Sequence, residues 1–230
     1  MPITECIVLA GGLGTRLREA VPDLPKCLAP IAGKPFLEHV IDYWLSQGIQ
    51  RFIFSLGYKH ELIESFLTDR YPRLSYTVVI EDEPLGTGGA IAFAASQALT
   101  GDVLVVNGDT LFRIDLAAFS QFHQAGKFTC SLALKPMQDF NRYGVVTLNE
   151  SNRVSSFLEK RQYREGLING GVYALSVAAL QATGLSGKFS FETNFLEVFY
   201  KSLPIGGWVD DGYFIDIGIP SDFEKANREL

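Results

Sequence analysis

The chain has 230 residues, of which 47% are hydrophobic, and its formal net charge is −6. This length and apolar content fit a folded α/β domain with a substantial core and exclude a disordered chain. The acidic balance, with no block of basic residues, excludes nucleic acid and anionic membranes as favoured partners. Neither a signal peptide nor an apolar run near the roughly 18 residues of a membrane span is visible, so we expect a cytoplasmic protein.

Strand and helix patterns alternate along the first half of the chain. Apolar, β-branched runs predict strands at 5–10, 51–56, 76–81 and 102–107. The segments between them predict helices near 35–47, 59–70 and 87–99. This alternation is typical of a parallel sheet with helices on both faces.

The second half has a different pattern. Strands are predicted at 128–135, 143–148, 153–159 and 168–175. Helices are predicted near 176–182, 191–201 and 220–228. Without a linker or repeat, we expect one domain, 1–230, with a nucleotide-binding half over about 1–125 and an acceptor-binding half over about 126–230.

A glycine-rich turn follows the first predicted strand. Leu9 and Ala10 lead into Gly11-Gly12-Leu13-Gly14-Thr15-Arg16, and Lys26 follows ten residues later. Glycines let backbone N–H groups approach an anion, and the two cations suit phosphate. The spacing matches neither a P-loop nor the dinucleotide fingerprint, because Leu17 stands where the third glycine of the fingerprint belongs. The turn therefore predicts a polyphosphate site of another kind.

Two carboxylates come at the ends of later predicted strands. Asp109 follows 102–107, and Asp216 follows Phe214-Ile215. Ligands of an open parallel sheet bind beyond the carboxyl ends of its strands. A carboxylate beside a polyphosphate is favourable when Mg²⁺ lies between them, because Mg²⁺ uses one or two carboxylates together with phosphate oxygens. We therefore predict a Mg²⁺ site at Asp109 and Asp216.

Three further motifs carry chemistry, of which one opens a predicted helix and two lie at strand ends. Three glycines in 86–89 would allow a flat ligand such as a base to approach the backbone. Glu159-Lys160 is predicted to end one strand, and Asn169-Gly170-Gly171 to open another. Glutamate, lysine and asparagine suit sugar hydroxyls and one phosphate, although isolated residues of these types are usually ordinary surface groups.

The cysteines and histidines carry no catalytic pattern. Cys6, Cys27 and Cys130 have no metal-like spacing, and we expect them to be buried and reduced. The three histidines each fall in a helix-like segment, with no nucleophile or metal partner beside them.

Taken in order, these motifs resemble the sugar-1-phosphate nucleotidyltransferase family. The resemblance runs through 9–17, 25–26, 84–90, 108–109, 143–146, 159–160, 169–173 and 216–218, which is nearly the whole chain. It implies an α/β, Rossmann-like sandwich with a mixed, mostly parallel sheet and a smaller sugar-binding β insertion. It also implies that a nucleoside triphosphate and a sugar 1-phosphate give a nucleotide sugar and pyrophosphate, with Mg²⁺ as cofactor.

The resemblance assigns residues to roles by position. It implies that Arg16, Lys26 and Asp109 are catalytic and that Asp109 and Asp216 bind the metal. Nucleotide binding is implied for Leu9, Ala10, Gly11, Gly12, Gly14, Thr15, Arg16, Lys26, Glu81, Gly86, Thr87 and Asp109. Sugar-phosphate binding is implied for Thr110, Gly144, Glu159, Lys160 and Asn169.

One further residue bears on the base, and the resemblance bears on the sugar. Glu81 stands where thymidine- and uridine-selecting relatives use glutamine, and an ionised carboxylate would accept from both guanine donors, N1–H and the 2-amino group. Glu81 therefore favours guanine. The chain also resembles the compact guanylyltransferases that act on D-glycero-α-D-manno-heptose 1-phosphate, and the heptose is implied by that resemblance alone. A uridylyl- or thymidylyltransferase using glucose or mannose 1-phosphate remains the alternative, and a non-catalytic sugar-nucleotide-binding module is a second. Strands exposed in the second half would also permit a homodimer.

Overall fold

The computed structural model describes residues 2–12, 17 and 21–230. Its strands are β1 (Glu5–Ala10), β2 (Pro30–Ile31), β3 (Lys34–Pro35), β4 (Arg51–Leu56), β5 (Ser75–Ile80), β6 (Asp102–Asn107), β7 (Thr110–Phe112), β8 (Cys130–Phe140), β9 (Val145–Leu148), β10 (Val154–Leu158), β11 (Tyr163–Ser176), β12 (Ile205–Val209) and β13 (Phe214–Asp216). Its α-helices are α1 (Phe36–Ser46), α2 (His60–Arg70), α3 (Gly86–Ala95), α4 (Leu116–Ala125), α5 (Val177–Ala182), α6 (Glu197–Phe199) and α7 (Pro220–Glu229). A 3-10 turn spans Lys26–Leu28, and a π-helical segment spans Phe191–Leu196.

One mixed sheet runs through both halves of the chain. Within the described residues it has nine strands, in the order β10-β9-β11-β6-β1-β4-β5, with β8 paired to β11 and β12. Strands β6, β1, β4 and β5 are parallel, whereas β11 is antiparallel to β6, β8 and β9. The predicted mixed α/β sheet with a parallel first half is confirmed.

The parallel strands are buried on both faces. Along β1, Cys6 and Val8 belong to one hydrophobic cluster and Ile7 to the other, because successive side chains of a strand point to opposite faces. All three cysteines are buried and unpaired, as the sequence predicts. Among the described helices, none has both the length and the apolar character needed to cross a bilayer.

The structure departs from the predicted elements in the second half of the chain. Asn169 does not open a strand but lies inside β11, where the pairing with β8 is irregular between Asn169 and Tyr173. Gly171 within that irregularity has φ +70°, which glycine adopts at little cost. The single helix expected near 191–201 is a π-helical segment followed by the short α6. Strand β12, which pairs with β8, was not predicted, because two of its five residues are glycines.

The amino ends of the parallel strands are fixed by one buried carboxylate. Glu5 accepts hydrogen bonds from the Arg51 guanidinium, from the N–H groups of Leu99 (2.8 Å) and Thr100 (2.6 Å), and from the Thr100 hydroxyl (2.7 Å). Burial alone would raise the pKa of Glu5, but the hydrogen bonds from Thr100, Arg51 and the backbone lower it overall. We call Glu5, Arg51 and Thr100 the amino-edge clamp.

Candidate active site

The loops at the carboxyl edge of the parallel strands enclose a pocket of about 330 Å³. It lies after β1, β5 and β6, where an open parallel sheet binds its ligands. We call it the glycine-loop pocket, and its lining residues are Leu9, Gly11, Gly12, Glu81, Pro84, Gly86, Thr87, Ala90, Asn107 and Asp109. The structure therefore brings together Leu9, Gly11, Gly12, Glu81, Gly86, Thr87 and Asp109 of the predicted nucleotide-binding set.

The Glu81 carboxylate is held in a fixed orientation at this pocket. Its Oε1 accepts from the Ser55 hydroxyl at 3.2 Å, and its Oε2 accepts from the Leu85 N–H at 2.9 Å. A Cβ atom on Gly11 would lie 2.9 Å from Glu81 Oε1 and 3.3 Å from the Gly57 nitrogen. Gly11 is therefore required for close packing against Glu81, in addition to any role in phosphate approach.

The glycines of 86–89 are also needed for packing against a remote segment, in addition to any approach by a ligand. Gly86 lines the glycine-loop pocket, but a Cβ atom on Gly88 would lie 2.1 Å from the Phe189 ring. A Cβ atom on Gly89 would lie 2.3 Å from the Gly187 carbonyl oxygen. Gly88 and Gly89 are thus small because α3 packs tightly against the segment before the π-helical turn.

Lys26, Asp109 and Asp216 meet at the edge of this pocket, and we call them the central cluster. The Lys26 Nζ lies 2.5 Å from Asp109 Oδ2 and 3.6 Å from Asp216 Oδ1. The Gly218 N–H donates to Asp216 Oδ1 at 2.7 Å, which fixes the second carboxylate. The predicted convergence of the two carboxylates is therefore present, with a lysine between them.

The central cluster could supply some of the ligands of a divalent cation, and a substrate would supply the others. Two carboxylates within 3.6 Å of one ammonium nitrogen offer the hard oxygen donors that Mg²⁺ prefers. Among residues 2–12, 17 and 21–230, no group of three or more His, Cys, Asp or Glu side chains could hold a metal ion. A cation here would therefore complete its coordination with phosphate oxygens and water.

We give the name β insertion to residues 143–176, which contain strands β9, β10 and β11. The β insertion and the segment after α5 enclose a second pocket of about 320 Å³. We call it the insertion pocket, and its lining residues are Tyr143, Gly144, Val145, Val146, Phe157, Leu158, Glu159, Lys160, Asn169, Glu192, Glu197 and Tyr200. Four predicted sugar-binding residues, Gly144, Glu159, Lys160 and Asn169, all lie in it. Gly144 approaches β10 so closely that a Cβ atom would lie 2.7 Å from the Leu158 carbonyl oxygen.

Acidic residues form one wall of the insertion pocket, and two of them, Glu192 and Glu197, are not predicted from the sequence. The Asn169 amide donates to Glu192 Oε1 at 3.1 Å and to the Tyr173 hydroxyl at 2.8 Å. Burial raises the pKa of Glu197, and the like charges of Glu159 and Glu192 raise it further. Glu192 and Glu197 lie on segments remote in sequence from the β insertion, so no local motif links them to it.

Tyr143 joins the insertion pocket to the central cluster. Its ring lines the pocket, and its hydroxyl donates to Asp216 Oδ2 at 3.4 Å. Burial, with the Asp216 charge, raises the pKa of Tyr143 to about 12, so this hydroxyl keeps its proton at neutral pH. The central cluster therefore lies between the glycine-loop pocket, through Asp109, and the insertion pocket, through Tyr143.

The remaining predicted residues lie in other places. Ala10 is buried, 3.2 Å from the position of a Cβ atom on Gly108, and does not line the glycine-loop pocket. Thr110 is buried, and its hydroxyl donates to Asp109 Oδ1 at 3.2 Å. The predictions on Gly14, Thr15 and Arg16 lie outside the described residues.

Comparison with known proteins assigns the chain to a family. A model of the family described as "Nucleotidyl transferase" matches residues 5–230. The chain belongs to the nucleotidyl transferase family. The nucleotidyl transferase match covers the glycine-rich turn, the central cluster and the β insertion in one span.

Three similar proteins cover nearly the whole chain. D-glycero-alpha-D-manno-heptose 1-phosphate guanylyltransferase of Aneurinibacillus thermoaerophilus is 49% identical, over 98% of each chain. The protein of the same name from Campylobacter jejuni is 43% identical, over 95% of this chain and 96% of its own. The crystal structure of HddC from Yersinia pseudotuberculosis complexed with GMP-PN is 36% identical over 99% of each chain, with a TM-score of 0.85.

Proposed function

We propose that this nucleotidyl transferase moves a guanylyl group from GTP to D-glycero-α-D-manno-heptose 1-phosphate. The products are a GDP-heptose and pyrophosphate. An oxygen of the sugar phosphate attacks the α-phosphorus of GTP, a new phosphorus–oxygen bond forms, and the bond to the β-phosphate bridging oxygen breaks. The attacking oxygen is already anionic at neutral pH, so the step requires no general base.

The observation that carries the proposal is the central cluster between two pockets. A nucleotide in the glycine-loop pocket and a sugar phosphate in the insertion pocket would bring their phosphates to Lys26, Asp109 and Asp216. Two anions brought together repel each other, so catalysis here consists of positioning and of neutralising charge. Lys26 supplies one such charge, and Arg16 is proposed to supply another.

Asp109 and Asp216 are proposed to hold Mg²⁺. When bound, the ion would screen the phosphate charge and favour departure of pyrophosphate. The residues of the chain have their own tasks around it. Lys26 binds phosphate oxygen, the Gly218 N–H orients Asp216, and the Thr110 hydroxyl orients Asp109.

Glu81 supports guanine as the base. Its two oxygens are held by Ser55 and Leu85, and each carboxylate oxygen can accept a second hydrogen bond. Guanine has two adjacent donors for such a carboxylate, whereas the carbonyl oxygens of uracil and thymine would be repelled. We therefore favour guanylyl transfer over uridylyl or thymidylyl transfer.

The heptose is proposed from the names and full-length identities of two relatives, at 49% and 43%. Cytoplasmic GTP and the three buried, unpaired cysteines are consistent with a reaction in the cytoplasm. The homodimer remains a prediction from the sequence.

The test is pyrophosphate release by the purified protein with Mg²⁺. GTP, UTP and dTTP are each combined with heptose, mannose and glucose 1-phosphates. The proposal expects the highest kcat/KM for GTP with heptose 1-phosphate. Equal or faster release with UTP or dTTP would overturn the guanine assignment. Binding of GTP without release from any pair would favour a non-catalytic binding module.

A further inference from the structure

The two ends of the insertion pocket differ, because only one of them adjoins the central cluster. Tyr143 marks that end, because its hydroxyl lies 3.4 Å from Asp216 Oδ2. The acceptor's phosphate must reach this end for the proposed reaction to occur. The anomeric carbon of the sugar therefore faces Tyr143, and the opposite side of the ring faces away from the central cluster.

The strand register locates the other end of the pocket. From Tyr143 the lining continues along β9 and β10, in which Val145 pairs with Leu158 and Val146 with Phe157. The three steps from Tyr143 to Val146, a stretch of which only Val145 and Val146 belong to β9, extend about 10 Å. The Phe157 ring there contacts the Tyr200 ring edge to face, with centroids 5.6 Å apart. Phe157 and Tyr200 thus form the far end of the pocket.

Helical spacing places Glu197 beside Tyr200. It lies three residues before Tyr200, so the two side chains share one face of the same helical turn, and both line the pocket. Its carboxylate makes no hydrogen bond or ion pair within the described part of the chain. Glu192, by contrast, accepts from the Asn169 amide at 3.1 Å.

The chemistry at the far end matches the exocyclic part of a sugar. The side of a pyranose ring opposite the anomeric phosphate carries the C5 side chain. In a manno-heptose this side chain has hydroxyls on two adjacent carbons, whereas mannose has one. A carboxylate can accept from two neighbouring hydroxyls at once, and an aromatic ring packs against the carbons that bear them.

Resting on the proposed function, we propose that Glu197, against Tyr200, is the residue that distinguishes a heptose from a hexose acceptor. Glu192 has a different role, because it accepts a hydrogen bond from Asn169. It would therefore help to bind the part of the sugar that heptose and mannose have in common. The proposal therefore separates two carboxylates of one wall, five residues apart.

The test compares acceptors in the same protein. The ratio of kcat/KM for heptose 1-phosphate to that for mannose 1-phosphate is measured with GTP in the wild type, Glu197→Gln and Glu192→Gln. Glutamine keeps the shape of the side chain but loses one acceptor, and we expect Glu197→Gln to lower the ratio at least about tenfold. Glu192→Gln should lower kcat/KM for both acceptors by the same factor and leave the ratio unchanged.

Glu165→Gln is the matched control, since Glu165 is exposed on β11 outside the insertion pocket. It should change neither kcat/KM nor the ratio. A folded Glu197→Gln protein whose ratio stays within about twofold of the wild type would overturn the inference. A wild type that uses both acceptors equally would also overturn it, while leaving guanylyl transfer in place. Failure of the wild type with every acceptor would instead overturn the proposed function.

Discussion

The two ends of the parallel strands both carry carboxylates paired with a cation, but the surroundings of the pairs differ. At the amino ends, Glu5 is 4% exposed and receives hydrogen bonds from Arg51, Leu99 and Thr100. At the carboxyl ends, Asp109 and Asp216 share the single ammonium of Lys26, and their side chains are 36% and 24% exposed.

This difference distinguishes a carboxylate that stabilises the fold from one that can bind a metal ion or a substrate. A buried charge whose acceptor positions are filled by the chain stabilises the fold and has no capacity left for a ligand. Two carboxylates that share one cation at the edge of a pocket retain capacity for a metal ion or a substrate. We therefore expect substitutions at the carboxyl edge to change rates and those at the amino-edge clamp to change stability.

The largest expected effect is from Asp109→Asn. Asparagine has nearly the same shape but lacks the charge proposed to hold the metal, so we expect kcat to fall at least about 1,000-fold. The free energy of unfolding should change little, because the side chain is partly exposed. Steady-state pyrophosphate release and urea unfolding measure the two quantities. Asp69→Asn is the control, because Asp69 is exposed on α2. If Asp109→Asn kept more than about a tenth of the wild-type kcat, the metal role would be contradicted.

Lys26→Met should lower kcat by about 100-fold, because one neutralising charge is lost from the transferring phosphate. It should also bind Mn²⁺ more tightly without nucleotide, since the two carboxylates no longer share a lysine. Titration calorimetry with Mn²⁺ gives this second readout independently of turnover. The exposed Lys127→Met serves as control. Weaker Mn²⁺ binding by Lys26→Met would show that the lysine does not compete with the cation.

Glu5→Gln should lower stability and leave turnover nearly unchanged, which is the opposite of what we expect at the carboxyl edge. It removes a buried charge bonded to Arg51 and Thr100, so we expect the free energy of unfolding to fall by about 2 kcal/mol. Turnover at 25 °C should remain within about twofold of the wild type, since the clamp lies at the far end of the strands from both pockets. Urea unfolding and kcat measure the two effects. A large loss of kcat in the folded variant would break the separation between the two edges.

The smallest expected effect is a pH dependence of stability. The pKa of Glu5 is lowered as described, and that of Glu38 is lowered chiefly by the Arg70 hydrogen bonds, against its burial. A carboxyl whose pKa is lower in the folded state adds stability above its unfolded pKa of about 4.3 and loses it as pH falls through the folded value. The stability difference between wild type and Glu5→Gln should therefore shrink as the pH is lowered from about 5 to 3. A difference that grows on acidification would contradict the lowered pKa.

The sequence predicts the parts of the site that come directly after strands. Asp109, Glu81 and the Gly11-Gly12 turn end β6, β5 and β1, and parallel strands bring their carboxyl ends to one edge. Glu192, Glu197 and Tyr200 could not be assigned in this way. They belong to a π-helical segment and a short helix whose approach to β9 and β10 depends on tertiary packing.

Some structural signals were in the sequence but were read as functional. Gly88 and Gly89 looked like positions of ligand approach, yet they accommodate the Phe189 ring and the Gly187 carbonyl. The sequence alone does not distinguish a glycine that is needed for packing against a remote segment from one that is needed for binding a ligand. The bounds of α4 were not predicted, although Asp115 before it caps the Ala118 N–H at 3.0 Å and is a typical helix start.

A ternary crystal structure tests the central claim most directly. Crystals would be grown with Mn²⁺, a non-hydrolysable GTP analogue and heptose 1-phosphate, and the Mn²⁺ located by anomalous scattering. The account predicts the ion at Asp109 and Asp216, the guanine at Glu81 and the sugar in the insertion pocket, with both phosphates at Lys26. A metal ion away from both aspartates, or a sugar phosphate outside the insertion pocket, would contradict it.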